Sequence, residues 1–434
     1  MTQHAHISRL IKKTVAFYIS AFFIVLSIMP AYAVELDSHD ALESLISEAI
    51  KNNPELRSYE IKIEAYEQRP SQASALDDPR MTFAIANLPV DSFRFDREPM
   101  TQKLIQVMQK IPFPGTLKLR GNVAAKDIAI ARTEYDEAKN TMIRQVSVLY
   151  NTILFLDNAL KITGDNRNLL AEFIKSAETR YETGQGGQGE ILKARIELSR
   201  IIQKDISLKQ KRETSVARLN TLLNRAERRD IHVGGELYQR PFVFTFDELQ
   251  KIARKTRPVL RGLEQKIDQS RMAIDLAKKE YYPEMDFGVS YGQRENSTAA
   301  DRPDFLSASV TINLPLWYRS KESRKVMEKK ADQRKAEEQY IAMQNSITFR
   351  LQELLSQVNM YNQEIELFKT GLIPQATLSF ESAMSGYRVN KADFLTIINN
   401  QISLYNYEIE YYRSIADHAN TIAELEETVG RRLF

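Results

Sequence analysis

Cysteine is absent from the 434 residues. That removes disulfides, thiolate metal sites, thiol nucleophiles and any N-terminal lipid carried on cysteine. Histidine adds little. His39, His232 and His418 stand far apart, with no pair at metal-ligand spacing, and the twelve methionines are scattered rather than clustered. No serine–histidine–acid set and no catalytic pair of carboxylates is identifiable. The glycine-rich run from Gly184 to Gly189 is reminiscent of a phosphate loop, but no strand precedes it and no Lys-Ser/Thr follows. It reads as a flexible turn. Among single carboxylates, Asp393 stands where a helix N-cap is expected, and Glu190 where a helix face meets water. The chain therefore reads as no enzyme, with no cofactor and no bound metal.

The elements that position these residues are mostly helical, organised around two extended hairpins. Leu306, Ala308, Val310, Ile312 and Leu314 alternate with Ser307, Ser309, Thr311 and Asn313. A period of two with one apolar and one wet side is that of a strand. Met285, Phe287, Val289 and Tyr291 alternate with Asp286, Gly288, Ser290 and Gly292, so the two stretches pair across the polar loop Gln293 to Asp304. An earlier pair runs from Arg80 to Leu88 and from Thr101 to Ile111. Between the hairpins, Leu117 to about Tyr181 is one long helical pattern, on the order of 100 Å if straight. Gly164-Asp165 is the expected place for an interruption. A further helix runs from Glu190 to about Asn224. After the second hairpin the same order returns: a long helix from about Ser320 to Tyr387, with a break expected near Gly371 and Pro374, then a last helix from Ala392 towards Arg431.

The second half repeats the first. Arg257-Pro258-Val259-Leu260 matches Asn53-Pro54-Glu55-Leu56, Tyr282-Pro283 matches Asp78-Pro79, and Asn313-Leu314-Pro315-Leu316 matches Lys110-Ile111-Pro112-Phe113. Three prolines in register with one element order point to duplication. The expected division is a first repeat over 34–240, with its hairpin at about 80–112, and a second over 241–434, with its hairpin at about 284–316.

The N-terminus reads as a secretory signal peptide over residues 1–33. Arg9, Lys12 and Lys13 precede an apolar run from about Val15 to Met29, and Ala31-Tyr32-Ala33 supplies the cleavage site. The run is shorter than the ~20 residues an anchor helix needs. His4 and His6 leave with it. With 60 Lys and Arg against 57 Asp and Glu, and no basic stripe, no nucleic-acid partner is indicated. A mean hydropathy of -0.40 excludes a bundle of membrane helices. If the mature chain enters a membrane, it does so through strands.

Each strand has roughly the ten residues of a tilted β-crossing. Backbone groups in lipid must all be paired, so such strands must close on themselves. Four are too few, since the smallest bacterial barrels use about eight. Several copies must then share one barrel, eight strands from a dimer or twelve from a trimer. Leu306 to Leu314 would meet lipid, and Ser307, Ser309, Thr311 and Asn313 would line the lumen. Phe113, Trp317 and Tyr318 at the strand ends suit an aromatic girdle. The competing reading is a pair of ribbons packed on helices in a soluble protein, against which the signal peptide and the helix lengths argue.

These features resemble the outer membrane efflux proteins, the TolC-like family. The resemblance is carried by YETGQGGQGEILKARIEL at Tyr181–Leu198, GYRVNKADFLTIINNQISLYNYEIE at Gly386–Glu410, and the segments IPFPGTLKLR and NLPLWYRSKE that follow the strands. The last two look most like the heavy-metal efflux branch, the CzcC- and CusC-like channels. Asn390 departs from the motif's usual glycine, although asparagine tolerates a left-handed backbone. The resemblance implies a mainly α fold with a small membrane β part, built as a homotrimer. A twelve-stranded barrel would sit among the lipid of the outer membrane of a Gram-negative bacterium, above a long α-helical barrel in the periplasm. The helical tip would dock a periplasmic adaptor, a membrane fusion protein, coupled to an inner-membrane pump of the resistance–nodulation–division type.

The resemblance also implies roles for individual residues. Tyr181, Gly184 and Gly187, with Tyr387, Arg388, Val389 and Asn390, would form the adaptor-contacting tip. Glu190 and Asp393, three copies each, would ring the pore constriction and attract cations. Thr396 stands where some relatives carry a second acid. The expected function is that of a passive exit channel for metal cations or small toxic compounds. The same architecture also serves type I protein secretion, and a helical scaffold without a pore is the reading from a different class.

Overall fold

The computed structural model describes residues 38–434 except 227–230, 232, 234–236, 299 and 390. The signal-peptide reading, His232 and Asn390 lie outside the described residues. The first half comprises α1 (Ser38–Asn52), α2 (Pro54–Glu67), the short α3 (Arg69–Ser74), β1 (Arg80–Ala86), β2 (Gln102–Ile111), α4 (Thr116–Glu182) and α5 (Gln188–Leu222). The second half comprises α6 (Phe246–Thr256), α7 (Pro258–Lys279), β3 (Met285–Gln293), β4 (Phe305–Ile312), α8 (Glu322–Leu367), a π-helical turn (Phe368–Leu372), α9 (Ile373–Arg388) and α10 (Phe394–Val429).

Local chemistry sets the helix starts. Asn53 Oδ1 accepts from the amides of Glu55 and Leu56, and Pro54 occupies the first turn, where its missing N–H leaves nothing unpaired. Pro258 likewise occupies the first turn of α7, there without a side-chain cap. Thr245 and Glu248 form a reciprocal capping box at α6.

The two hairpins form one antiparallel sheet in the order β1-β2-β3-β4. Pairing of β2 with β3 joins segments that are far apart in sequence, with Ile105 opposite Tyr291 and Val107 opposite Val289. The register places Phe83, Ile105, Tyr291 and Leu306 in one row, and Met81, Val107, Val289 and Ala308 in the next. Thr82, Gln106, Ser290 and Ser307 share the opposite face. The alternation therefore holds across all four strands. Among the described residues β1 and β4 have no outer partner, and β4 is exposed along its whole length.

The core lies in the helices. One cluster joins α1, α4 and α5 through Leu42, Ile46, Val146, Tyr150, Ile153 and Leu219. A second joins α4, α5, α9 and α10, and a third joins α6, α7, α8 and α10. α4 and α10 form the shared middle: α4 carries α5, and α10 carries α8 and α9.

One expected interruption is corrected. Gly164 lies inside an unbroken helix of 67 residues, because nothing in its surroundings forces a kink. Near Gly371 and Pro374 the α-helix is interrupted as expected, by the π turn Phe368–Leu372, but the helical chain does not stop. Proline has no amide and its ring crowds the carbonyl four residues back, and the π turn just ahead of it absorbs both effects. Ile373 N–H accordingly reaches the Phe368 carbonyl, five residues back. The chain from Glu322 to Arg388 then stays continuous and matches α4 in length.

Candidate functional site

The candidate site is formed by the two turns that close the long helices, Thr183–Gly187 and, among the described residues, Val389 with Lys391, Ala392 and Asp393. In the first, Gly184 has φ of 73°, a left-handed value open to glycine at little cost. Gln185 N–H donates to the Arg180 carbonyl at 2.8 Å, and Gly184 N–H to that of Tyr181 at 3.0 Å. Gly187 then caps α5 in an extended conformation. In the second, Lys391 N–H donates to the Gly386 carbonyl at 2.8 Å, the same backward reach. Tyr181 and Val389 are exposed by 49% and 61%, and Gly184, Gly187 and Arg388 are exposed beside them.

The turns touch each other through Tyr387. Its hydroxyl donates to Glu190 Oε2 at 3.5 Å, a weak contact. Its ring lies 4.5 Å beneath the Arg180 guanidinium. Burial, and then the Glu190 carboxylate, hold the Tyr387 hydroxyl above its ordinary pKa, so it stays a donor. Beneath it, Phe394 packs on Phe173 edge to face, among Ile174, Ala177, Ile191 and Ile397. Four helix ends thus meet on one apolar plug, with the two turns on top.

Asp393 caps α10. Its Oδ1 accepts from the Thr396 amide at 2.8 Å and from the Thr396 hydroxyl. Those two bonds, the hydroxyl's first, hold its carboxyl below the usual range. Asp393 and Thr396 therefore form one unit, exposed to water, while Glu190 is half-buried against Tyr387. Sequence reasoning missed Arg180, which bridges both turns; its signal is a basic residue in the last turn of α4. Gly186, within the glycine run already singled out, is also a close-packing position, where an added Cβ would meet Arg180 Cβ at 3.3 Å and Glu190 Oε2 at 3.4 Å.

At the other end of the molecule, Ser307, Ser309 and Thr311 lie on the polar face of the sheet. Ser309 stands opposite Gly288, where an added Cβ would come within 2.6 Å of its Oγ. Asn313 follows β4 and extends the ladder by donating to the Glu284 carbonyl at 3.1 Å. Among the described residues no group of three or more His, Asp or Glu side chains is placed to hold a metal ion. Nor is any described helix long and apolar enough to cross a membrane.

The family model described as outer membrane efflux protein matches residues 45–225 and again 249–431. The chain is 21% identical over 409 residues to the cobalt-zinc-cadmium resistance protein CzcC of Cupriavidus metallidurans, covering 93% of each. Among solved structures, the outer membrane protein VceC from Vibrio cholerae superposes with a TM-score of 0.75 at 14% identity, covering 91% of this chain and 97% of that one. The MtrE outer membrane channel of Neisseria gonorrhoeae gives 0.75 at 16%, covering 92% of both. Fold and family are those of channels that work with an adaptor and an inner-membrane pump. The family model accounts for both halves of the molecule, and the chain belongs to the outer membrane efflux protein family.

Proposed function

We propose that three copies of this chain build the outer-membrane exit duct of a tripartite efflux system whose cargo is divalent metal cations. The observation that carries the reading is the sheet. It has two unpaired edges, a continuous exposed apolar face and a polar face of Ser307, Ser309 and Thr311. In lipid those edges need partners, and three four-stranded sheets joined edge to edge give a closed ring of twelve strands.

The helices support the same assembly. Leu192, Ile196 and Ile206 leave one face of α5 exposed and apolar. On the other flank Phe349, Met360 and Leu367 recur at intervals that return to one face of α8, and Leu378 is exposed on α9 beyond the π turn. Two different apolar flanks, one on each side of a subunit, suit a head-to-tail ring. The metal cargo rests on the CzcC relative and on acidic groups at the tip. Around a threefold axis Glu190 and Asp393 would each appear three times, and such rings concentrate cations. Arg388, Val389 and the exposed glycines of the first turn are the surface offered to the adaptor. Tyr387, bridging to Glu190 and Arg180, holds the two turns together as the gate.

The test is the mass of the detergent-solubilised protein combined with conductance in planar bilayers. A threefold mass with cation-selective channels is expected. A monomer that inserts no channel would sink the reading, and peptide or protein cargo released by intact cells would favour type I secretion. Tyr387→Phe removes one weak hydrogen bond of the gate, and at about 1 kcal/mol the open fraction should rise roughly fivefold.

A further inference from the structure

Where the sheet meets the helices, a cavity of about 400 Å³ opens between β4, α4, α7 and the start of α8. Phe113 and Tyr282 stack there at 4.2 Å and form one wall. Lys279 lies over both rings, at 5.0 and 5.8 Å, and donates to the Pro114 carbonyl. Neither Lys279 nor Arg120, which also lines the cavity, has a carboxylate partner among the described residues. The two other acids of the lining are already engaged from outside it, Glu284 by Lys110 and Glu280 by Lys325.

Glu322 differs from both. It is 5% exposed, it lines the cavity, and its Oε2 has no hydrogen-bond partner. The nearest cation, Lys321, stands 3.7 Å from the other oxygen. A buried carboxylate oxygen without a donor is costly unless a ligand completes it. The cavity therefore presents two cations without a carboxylate partner and one incomplete anion, with Leu314 in its wall and Leu316 and Trp317 just beyond, exposed by 67%, 72% and 75%.

We propose that this cavity binds the headgroup of a zwitterionic, primary-amine phospholipid. Arg120 and Lys279 take the phosphodiester, Glu322 Oε2 accepts from the ammonium, and the acyl chains lie along Leu314, Leu316 and Trp317. A purely anionic headgroup would leave Glu322 unpartnered, and a quaternary ammonium has no N–H to give it. The inference rests on the barrel reading, because it needs this junction to lie at the membrane surface.

Native mass spectrometry of the intact oligomer in micelles doped with phosphatidylethanolamine, phosphatidylglycerol or phosphatidylcholine tests it. Retention of phosphatidylethanolamine should exceed the other two by about tenfold, the effect of one charge-assisted hydrogen bond. Glu322→Gln should abolish the preference, with helical content checked by circular dichroism. Arg120→Gln, at a half-buried position, should weaken retention of both phosphatidylethanolamine and phosphatidylglycerol. Equal retention of the three lipids by the wild-type protein, or an unchanged preference in Glu322→Gln, overturns the site. So does inorganic phosphate competing as well as O-phosphoethanolamine, since that marks a phosphate site alone. Channels that conduct normally without lipid preference overturn this inference only; a chain that never inserts overturns the barrel reading with it.

Discussion

Asp393 has one role seen in the structure, the cap of α10, and one proposed, the acidic ring, and the two separate experimentally. As a cap it needs only an acceptor, which serine supplies; as a member of an acidic ring it needs charge. Asp393→Ala should raise single-channel conductance, weaken block by divalent cations and lower thermal stability. Asp393→Ser should reproduce the first two effects and spare the third, and unchanged conductance in both variants would remove Asp393 from the pore. The Thr396 bonds keep its carboxyl ionised below the usual range, so the stability it adds is present above the unfolded-state value and lost only as pH falls through the lower folded one. His418 works in the same sense, since its folded pKa is also depressed. It is fully buried, and burial pushes its pKa down to about 4 from 6.5. The unfolded chain takes up that proton first, so stability should fall between pH 6.5 and 4, by up to about 3 kcal/mol per chain. Burial raises the nearby acids Asp417 and Glu426, which pull the other way on acidification. The pH dependence of melting should therefore be compared between the wild type and His418→Leu, and identical slopes would show that His418 does not titrate on unfolding. The residue types at Asp393 and Glu190 were legible in the sequence, but their partners were not. Asp393 reaches Thr396 within its own turn, a local pattern, whereas Glu190 meets Tyr387 across half the chain.

At the level of elements, the strand alternation, the proline-opened helices and the long helical periods all read directly from the chain, since each is a local consequence of side-chain direction or a missing amide. The interruptions did so only in part: the one near Gly371 is a π turn, and the one at Gly164 does not occur. Glycine and proline mark where a helix is free to bend, and tertiary packing decides whether it does. Gly164 and Gly430 make the contrast testable. At Gly164 an added methyl meets nothing within 4 Å, so Gly164→Ala should raise stability by up to about 1 kcal/mol. Gly430 ends α10 with φ of 79°, and a Cβ there would lie 2.7 Å from Arg257 Cα. Gly430→Ala should lower stability by about 2 kcal/mol. Thermal melts of the two variants check both signs.

For the whole molecule, pairing of β2 with β3 was the feature least visible in advance. Each hairpin is local, but their union depends on how the helices of both halves pack, and no short pattern encodes that. In the proposed assembly the outer flanks carry the contact between copies. Phe349→Asp with Leu378→Asp should shift the detergent-solubilised protein from oligomer to monomer while leaving helical content unchanged, because neither side chain is buried within its own chain. An oligomer that survives both charges would place the contact elsewhere.

The two bare edges of the sheet also bear on how such a barrel is made. In spatial order the strands follow the chain, so one copy presents β1 on one side and β4 on the other. Two copies joined edge to edge still leave one β1 and one β4 bare in hydrocarbon, as costly as for a single copy. No partial ring is a resting point. For the proposed ring of three copies, insertion should therefore behave as a reaction of high molecularity, its rate rising with about the third power of chain concentration, and the membrane should contain either complete ducts or none.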